Sequence, residues 1–258
     1  LGRPLLSRSG KGVRPTAYGE TVLEYANLIL KAAATISTLS LPDTYNSLRL
    51  STYPSNMISR LLVDFYKEWG TQFHIEYHEG SVEEITDHVH QGISEIGIVY
   101  VALKQVQTFQ HILTHKNLEF VPQDVKKICV YVGPNHPLYH TESIDFEDLS
   151  SLKFMRGVRD FFSMEHHLER VSMGVIDNEK LHHVVYTNSD HLIIDLLLHS
   201  DVCSLGLDFM HEPYTQYAIK SLPINGCEPF LQMGYVFNPE RALSAQARWV
   251  VERFRKML

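Results

Sequence analysis

The sequence predicts an α/β protein with two tandem lobes, preceded by a long amphipathic helix and a short basic segment. Three observations carry this. Strand-like and helix-like patterns alternate from residue 47 onward, which calls for a mostly parallel sheet with crossover helices. The alternation runs twice, and an apolar strand and helix then return near residue 258, as expected of lobes joined by crossing strands. A helical stripe over residues 16–38 stands outside the alternation.

Residues 1–15 carry Arg3, Arg8, Lys11 and Arg14 and no acidic residue, in a chain whose formal net charge is −7. The acidic body is a poor nucleic-acid binder, so phosphate contact is expected from this Gly-punctuated segment. From Thr16, an expected N-cap, the residues Val22, Leu23, Ala26, Ile29, Leu30 and Ala33 recur at spacings of three and four. Such a stripe must be covered, and a second copy of the same helix is the simplest cover. Gly19 stands where a capping box would place a carboxylate. Ser40–Ser47, with Pro42, Asp43 and Asn46, reads as a linker.

Ser47–Tyr53 reads as a strand with Leu48 and Leu50 on one face. Ser55 or Asn56 opens a helix carrying Met57, Leu61, Leu62, Phe65 and Trp69, stopped by Gly70. Phe73, Ile75 and Tyr77 alternate as a strand, and Ser81-Val-Glu-Glu84 is a capping box. Ile96–Val101 is an apolar strand. Leu118–Val121 and Lys127–Val132 read as strands separated by Pro122. The second series has strands at Leu152–Met155, His182–Tyr186, Val202–Leu207 and Ile219–Leu222, with helices at Asp160–Val171 and Ser189–His199. Met233–Phe237 and Leu243–Leu258 close the pattern as strand and helix.

No nucleophile elbow, Walker loop, dinucleotide fingerprint or zincin motif is present, and no acid/base constellation is visible, so the chain does not read as an enzyme. No cofactor is called for. The histidine pairs His88/His90, His111/His115, His166/His167 and His182/His183 lack a completing ligand, and no metal is expected. Cys129, Cys203 and Cys227 are scattered and odd in number, which fits a reducing cytoplasmic setting. Cys227, in a loop, is the one candidate for a reactive thiol. No apolar run has membrane length and no signal peptide precedes the fold.

Small hydroxyl residues open helices directly after strands at Ser55, at Ser81 and in Thr187-Asn188-Ser189. Each is a natural N-cap, and each also offers donors at the positive end of a helix. Ligands gather outside the carboxyl ends of strands in open α/β sheets. Converging ends of this kind suit a small anionic or polar metabolite, with Arg156 and Arg159 placed to clamp a carboxylate.

Leu1-Gly-Arg-Pro-Leu-Leu-Ser-Arg-Ser-Gly-Lys-Gly-Val-Arg-Pro-Thr-Ala-Tyr-Gly-Glu20 resembles the end of the DNA-binding domain of LysR-type transcriptional regulators. Leu6, Pro15 and Tyr18 depart from that pattern. The linker helix, His136-Pro-Leu138 and the segment Asp145–Leu149 are similar to later parts of the family, whereas Asp201–Gly206 matches poorly. The resemblance implies a two-lobed fold like the type II periplasmic binding proteins, preceded by a winged helix-turn-helix of which residues 1–15 are the wing. It implies a linker/dimerisation region at 16–46, lobe I at 47–119 and 226–258, and lobe II at 120–225. It also implies effector contact by Ser55 and Ser81, and further by Val101 and Thr187–Ser189. Homodimers or homotetramers on DNA, and a small-molecule effector between the lobes, follow from it. The alternative is a solute-binding receptor of a transport system, which shares the fold but lacks the helix and the basic wing.

Overall fold

The computed structural model describes residues 2–10, 12–39, 46–54, 56–70, 73–157, 160–177, 181–208 and 217–258. Contacts divide the chain into two compact units, 1–46 and 47–258.

In the first unit, β1 (Leu6–Ser9) and β2 (Gly12–Pro15) form an antiparallel hairpin that pairs Leu6 with Pro15 and Ser9 with Gly12. It leads into α1 (Ala17–Leu39). The Thr16 Oγ1 hydroxyl caps α1, accepting from the Gly19 amide at 2.9 Å and donating to the Pro4 carbonyl at 2.9 Å. Gly19 occupies the expected carboxylate position for a steric reason. A Cβ there would collide with the Leu5 carbonyl, so no larger residue fits. Val22 and Ala26 are half-buried, while Leu23, Ile29, Leu30 and Ala33 are exposed. Lys11 and positions 40–45 of the expected linker lie outside the described residues.

The second unit holds two five-stranded sheets. The first comprises β3 (Asn46–Thr52), β4 (Phe73–Glu79), β5 (Ile96–Ala102), β6 (Glu119–Lys126) and β12 (Leu231–Phe237), in the order β4-β3-β5-β12-β6. Around it lie α2 (Asn56–Trp69), α3 (Val82–Gln91), α4 (Val106–His115) and α7 (Ala245–Met257). The second comprises β7 (Ile128–Val132), β8 (Lys153–Arg156), β9 (His182–Tyr186), β10 (Cys203–Leu207) and β11 (Lys220–Pro223), in the order β11-β7-β10-β8-β9. Helices α5 (Leu168–Val171) and α6 (Asp190–His199) belong with it. This is a two-lobed α/β fold of the type II periplasmic-binding kind.

Several expectations need correction. The sheets are mixed, not mostly parallel: β12 runs antiparallel to both β5 and β6, and β7 antiparallel to both β10 and β11. Returning strands insert between strands laid down earlier, and they arrive in the opposite direction. Pro122 does not separate two strands but lies inside β6. It is tolerated because β6 is an edge, where a missing amide donor breaks no ladder bond. The register shifts at Met233/Gly234 opposite it. Because β6 belongs to the first sheet, sheet membership changes after Lys126 rather than after Glu119. Residues 103–117, unassigned from the pattern, contain α4. The helix expected over Asp160–Val171 is reduced to a 3-10 turn at Met164–His167 followed by the single turn α5.

Candidate functional site

The two sheets end on a shared cavity of about 100 Å³. The first lobe contributes Tyr53 and Pro54 beyond β3, Met57 and Ile58 at the start of α2, and Ile98 to Tyr100 of β5. The second lobe contributes Tyr131, Met155, Met164, Glu165 and the stretch Ser204–Leu207, with Thr187, Asn188 and Asp190 from the β9–α6 junction. The walls are mostly aromatic, thioether and aliphatic, as small-molecule sites are, with a few convergent polar groups.

Tyr53 and Tyr100 meet edge to face, with ring centroids 4.6 Å apart. Tyr100 is 2% exposed. The Tyr53 hydroxyl is its polar neighbour and interacts with it. Burial pushes the Tyr53 phenol up to about 12 and that of Tyr100 well above its ordinary value, so both stay neutral. Tyr131 donates to the Leu207 carbonyl at 2.9 Å, and its ring lies where a Cβ on Gly206 would be. Gly206 thus keeps that aromatic wall in place.

The mouth of the cavity is a more open recess of about 450 Å³ that shares Pro54, Gly157, Thr187 and Asn188 and adds Glu79 and Glu84. Glu79 accepts from the Tyr77 hydroxyl at 2.7 Å. Asp190 faces the same region. Burial, and then the Glu79 charge, push its carboxyl up to about 6.

The expected site residues distribute unevenly. Thr187 and Asn188 line the cavity, while Ser189 is an exposed N-cap of α6 that accepts from Leu192 N at 3.4 Å. Ser81 and Arg156 meet in a third recess of about 390 Å³, beside Asp160 and His166. Ser81 works there as a capping residue, with reciprocal bonds to Glu84. The Arg156 guanidinium donates to His166 Nε2 at 3.3 Å, and its Nε is enclosed without a partner among the described residues. Val101 is not at the site. It is fully buried in the first lobe's inner core with Val82, Phe109 and Val236 and is not among the residues lining the cavity. Ser55 and Arg159 lie outside the described residues.

One feature had no signal in the sequence. The segment 160–167 of the second lobe clasps the first lobe. The Asp160 carboxylate accepts from the Val82 amide at 2.5 Å, at the N-terminus of α3. Phe162 enters the first lobe's core and packs against Phe109 at 5.4 Å. Gln105 donates to the Phe161 carbonyl at 3.1 Å and accepts from His167 Nε2 at 2.9 Å. The α3 N-terminus, read as an open anion site, is therefore already answered by the chain's own carboxylate.

One reading falls away. Cys227 is buried, and burial raises its thiol, as it does those of Cys129 and Cys203; none has the environment of a reactive thiolate. Among the described residues no group of three or more His, Cys, Asp or Glu is placed to hold a metal. No described helix is long and apolar enough to cross a membrane.

Comparison with known proteins follows the same lines. The family described as the LysR substrate binding domain matches residues 47–258. Full-length CbnR complexed with its target DNA superposes with a TM-score of 0.61 at 15% identity, covering 100% of this chain and 85% of that one. The effector-binding domain of QuiR in complex with shikimate gives 0.53 at 15% identity, over 82% of this chain and 98% of that one. A hydrogen peroxide-bound cysteine mutant of OxyR from Corynebacterium glutamicum gives 0.55 at 16% identity, over 99% and 78%.

Proposed function

Because the chain belongs to the LysR substrate-binding domain family, we propose that it is a LysR-type transcriptional regulator whose residues 47–258 sense a small molecule between the lobes. The observation that carries this reading is the cavity lined from both sheets, with the buried Tyr53–Tyr100 pair in its wall. A ligand there touches both lobes, so its binding energy can differ between lobe arrangements, which is the requirement for allostery. Two structural neighbours, one an effector domain in complex with shikimate and one complexed with target DNA, support the same division of labour.

In this reading α1 pairs two copies through Leu23, Ile29 and Leu30, which stand 52%, 68% and 66% exposed. The homodimer, or a homotetramer built from it, carries the effector signal to DNA by a change in subunit geometry. Arg3, Arg8, Lys11 and Arg14 supply backbone phosphate contacts in the cytoplasm. Strand alternation places Arg8 and Arg14 on opposite faces of the hairpin, so one phosphate does not engage both.

The test is a thermal-shift screen of metabolites against the chain and against Thr187→Trp, whose indole would fill the cavity. Compounds that stabilise the parent and not the variant are expected. Equal stabilisation of both would place binding elsewhere.

A further inference from the structure

We infer that His111 and His115 on α4 form a two-imidazole chelate for a late first-row divalent cation such as Zn²⁺, Ni²⁺ or Cu²⁺. The pair lies apart from the interlobe cavity and its neighbouring recesses, whose linings include neither histidine.

Helical spacing brings the two rings together. Residues four apart sit one above the other on one helix face. In His111-Ile-Leu-Thr-His115 this places both imidazoles on the exposed side of α4, away from the buried Phe109 and Leu113. The ring centroids are 4.6 Å apart, with the planes at 87°. The two Nε2 atoms face each other at 3.2 Å.

That separation is the one a shared ion needs. Imidazole nitrogens bound to one metal at about 2.0–2.1 Å lie about 2.9 Å apart at a right angle and about 3.4 Å apart at the tetrahedral angle. The observed distance falls between these limits, so an ion can bridge the pair without movement of the backbone. Neutral rings make the same contact when one Nε2–H donates to the other Nε2. Moving that proton to Nδ1 leaves both Nε2 lone pairs for the ion.

The surroundings favour a cation of this class. The pair occupies the C-terminal turns of α4, at the negative end of the helix dipole. The next residue, Lys116, turns its charge away to α3, donating to Thr86 Oγ1 at 2.8 Å and pairing with Asp87 at 2.9 Å. Imidazole nitrogen suits Zn²⁺, Ni²⁺ and Cu²⁺, whereas Mg²⁺ and Ca²⁺ take oxygen ligands. The spacing is that of the two zinc-binding histidines of an H-E-x-x-H helix, with Ile112 where the glutamate general base would stand. The pair therefore holds an ion without the base that makes such helices hydrolytic. An ion there staples the end of the helix whose Phe109 packs against Phe162 of the clasp.

The experiment is titration calorimetry of the untagged chain with Ni²⁺, Zn²⁺ and, as a hard-cation control, Mg²⁺. Ni²⁺ and Zn²⁺ should each bind the parent at least about tenfold more tightly than His111→Asn/His115→Asn, with no such difference for Mg²⁺. Each single variant should lose as much affinity as the double, because one ring alone cannot chelate. Both positions are exposed, so the circular dichroism spectrum should not change. Sub-stoichiometric Cu²⁺ should broaden the ring-proton resonances of His111 and His115 ahead of those of the other histidines. Equal Ni²⁺ and Zn²⁺ affinity in the parent and the double variant would overturn the inference, since the ions would then bind elsewhere. Single-variant losses that sum to that of the double would also overturn it, because the rings would then act separately. Absence of Ni²⁺ and Zn²⁺ binding to the parent would overturn it outright.

Discussion

Asp190 and Asp160 show how two carboxylates on one lobe acquire opposite roles. Asp190 has its folded-state pKa raised to about 6 by burial and by Glu79, above the value of an unfolded aspartate. Between roughly pH 4 and 6 the native state therefore holds more protons than the unfolded state, and stability falls as pH rises through that window. Asp190→Asn removes the penalty: unfolding in urea at pH 7.5 should show a gain of about 1 kcal/mol or more that vanishes near pH 4. No gain at either pH would contradict this account of its environment. Asp160 instead satisfies the Val82 amide and the positive end of α3. Asp160→Ala should lower stability by about 1–2 kcal/mol in the same measurement, the usual cost of losing a cap and its dipole interaction. An unchanged midpoint would contradict the clasp. Ser81 was legible because both halves of its capping box lie within four residues, from Ser81 to Glu84. Asp160 was not, because its partner is 78 positions away in the chain.

At the scale of elements, the long periodic ones were readable and the short or interrupted ones were not. Helices α1 and α2 carry full apolar stripes, and their limits agree with the pattern to within a residue or two, as does the start of α3. Helix α4 buries only Phe109 and Leu113 and starts without a side-chain cap, so it left neither a stripe nor a start signal. Pro122 misled because edge position is a property of the sheet order and not of the local sequence. Across from it, Gly234 lies where a Cβ would strike the Val121 carbonyl and the Phe120 ring. Gly234→Ala should therefore cost roughly 2 kcal/mol or more by forcing β6 away from β12. Chemical denaturation checks this, and a loss below about 0.5 kcal/mol would contradict the tight approach.

For the whole molecule, the two-lobed architecture followed from the doubled alternation, but the cavity walls did not. Tyr53, Tyr100, Tyr131 and four methionines sit in ordinary strand and helix positions, and only the meeting of two sheets gives them a common ligand-sized space. Assembly is the other whole-molecule claim. Leu30→Glu on α1 should convert dimers to monomers at micromolar concentration, because a charge on an apolar helix seam is not compensated. Sedimentation velocity reads this directly, and an unchanged mass would remove α1 from the interface. The central claim, that ligand enters between the lobes, is open to methyl NMR. Met57, Met155, Met164 and Met233 line the cavity, whereas Met173 and Met257 are 93% and 40% exposed. On titration with a compound that stabilises the chain, the four cavity methyls should shift together while Met173 and Met257 stay in place. Shifts confined to Met173 or Met257, with the cavity methyls unmoved, would contradict the account.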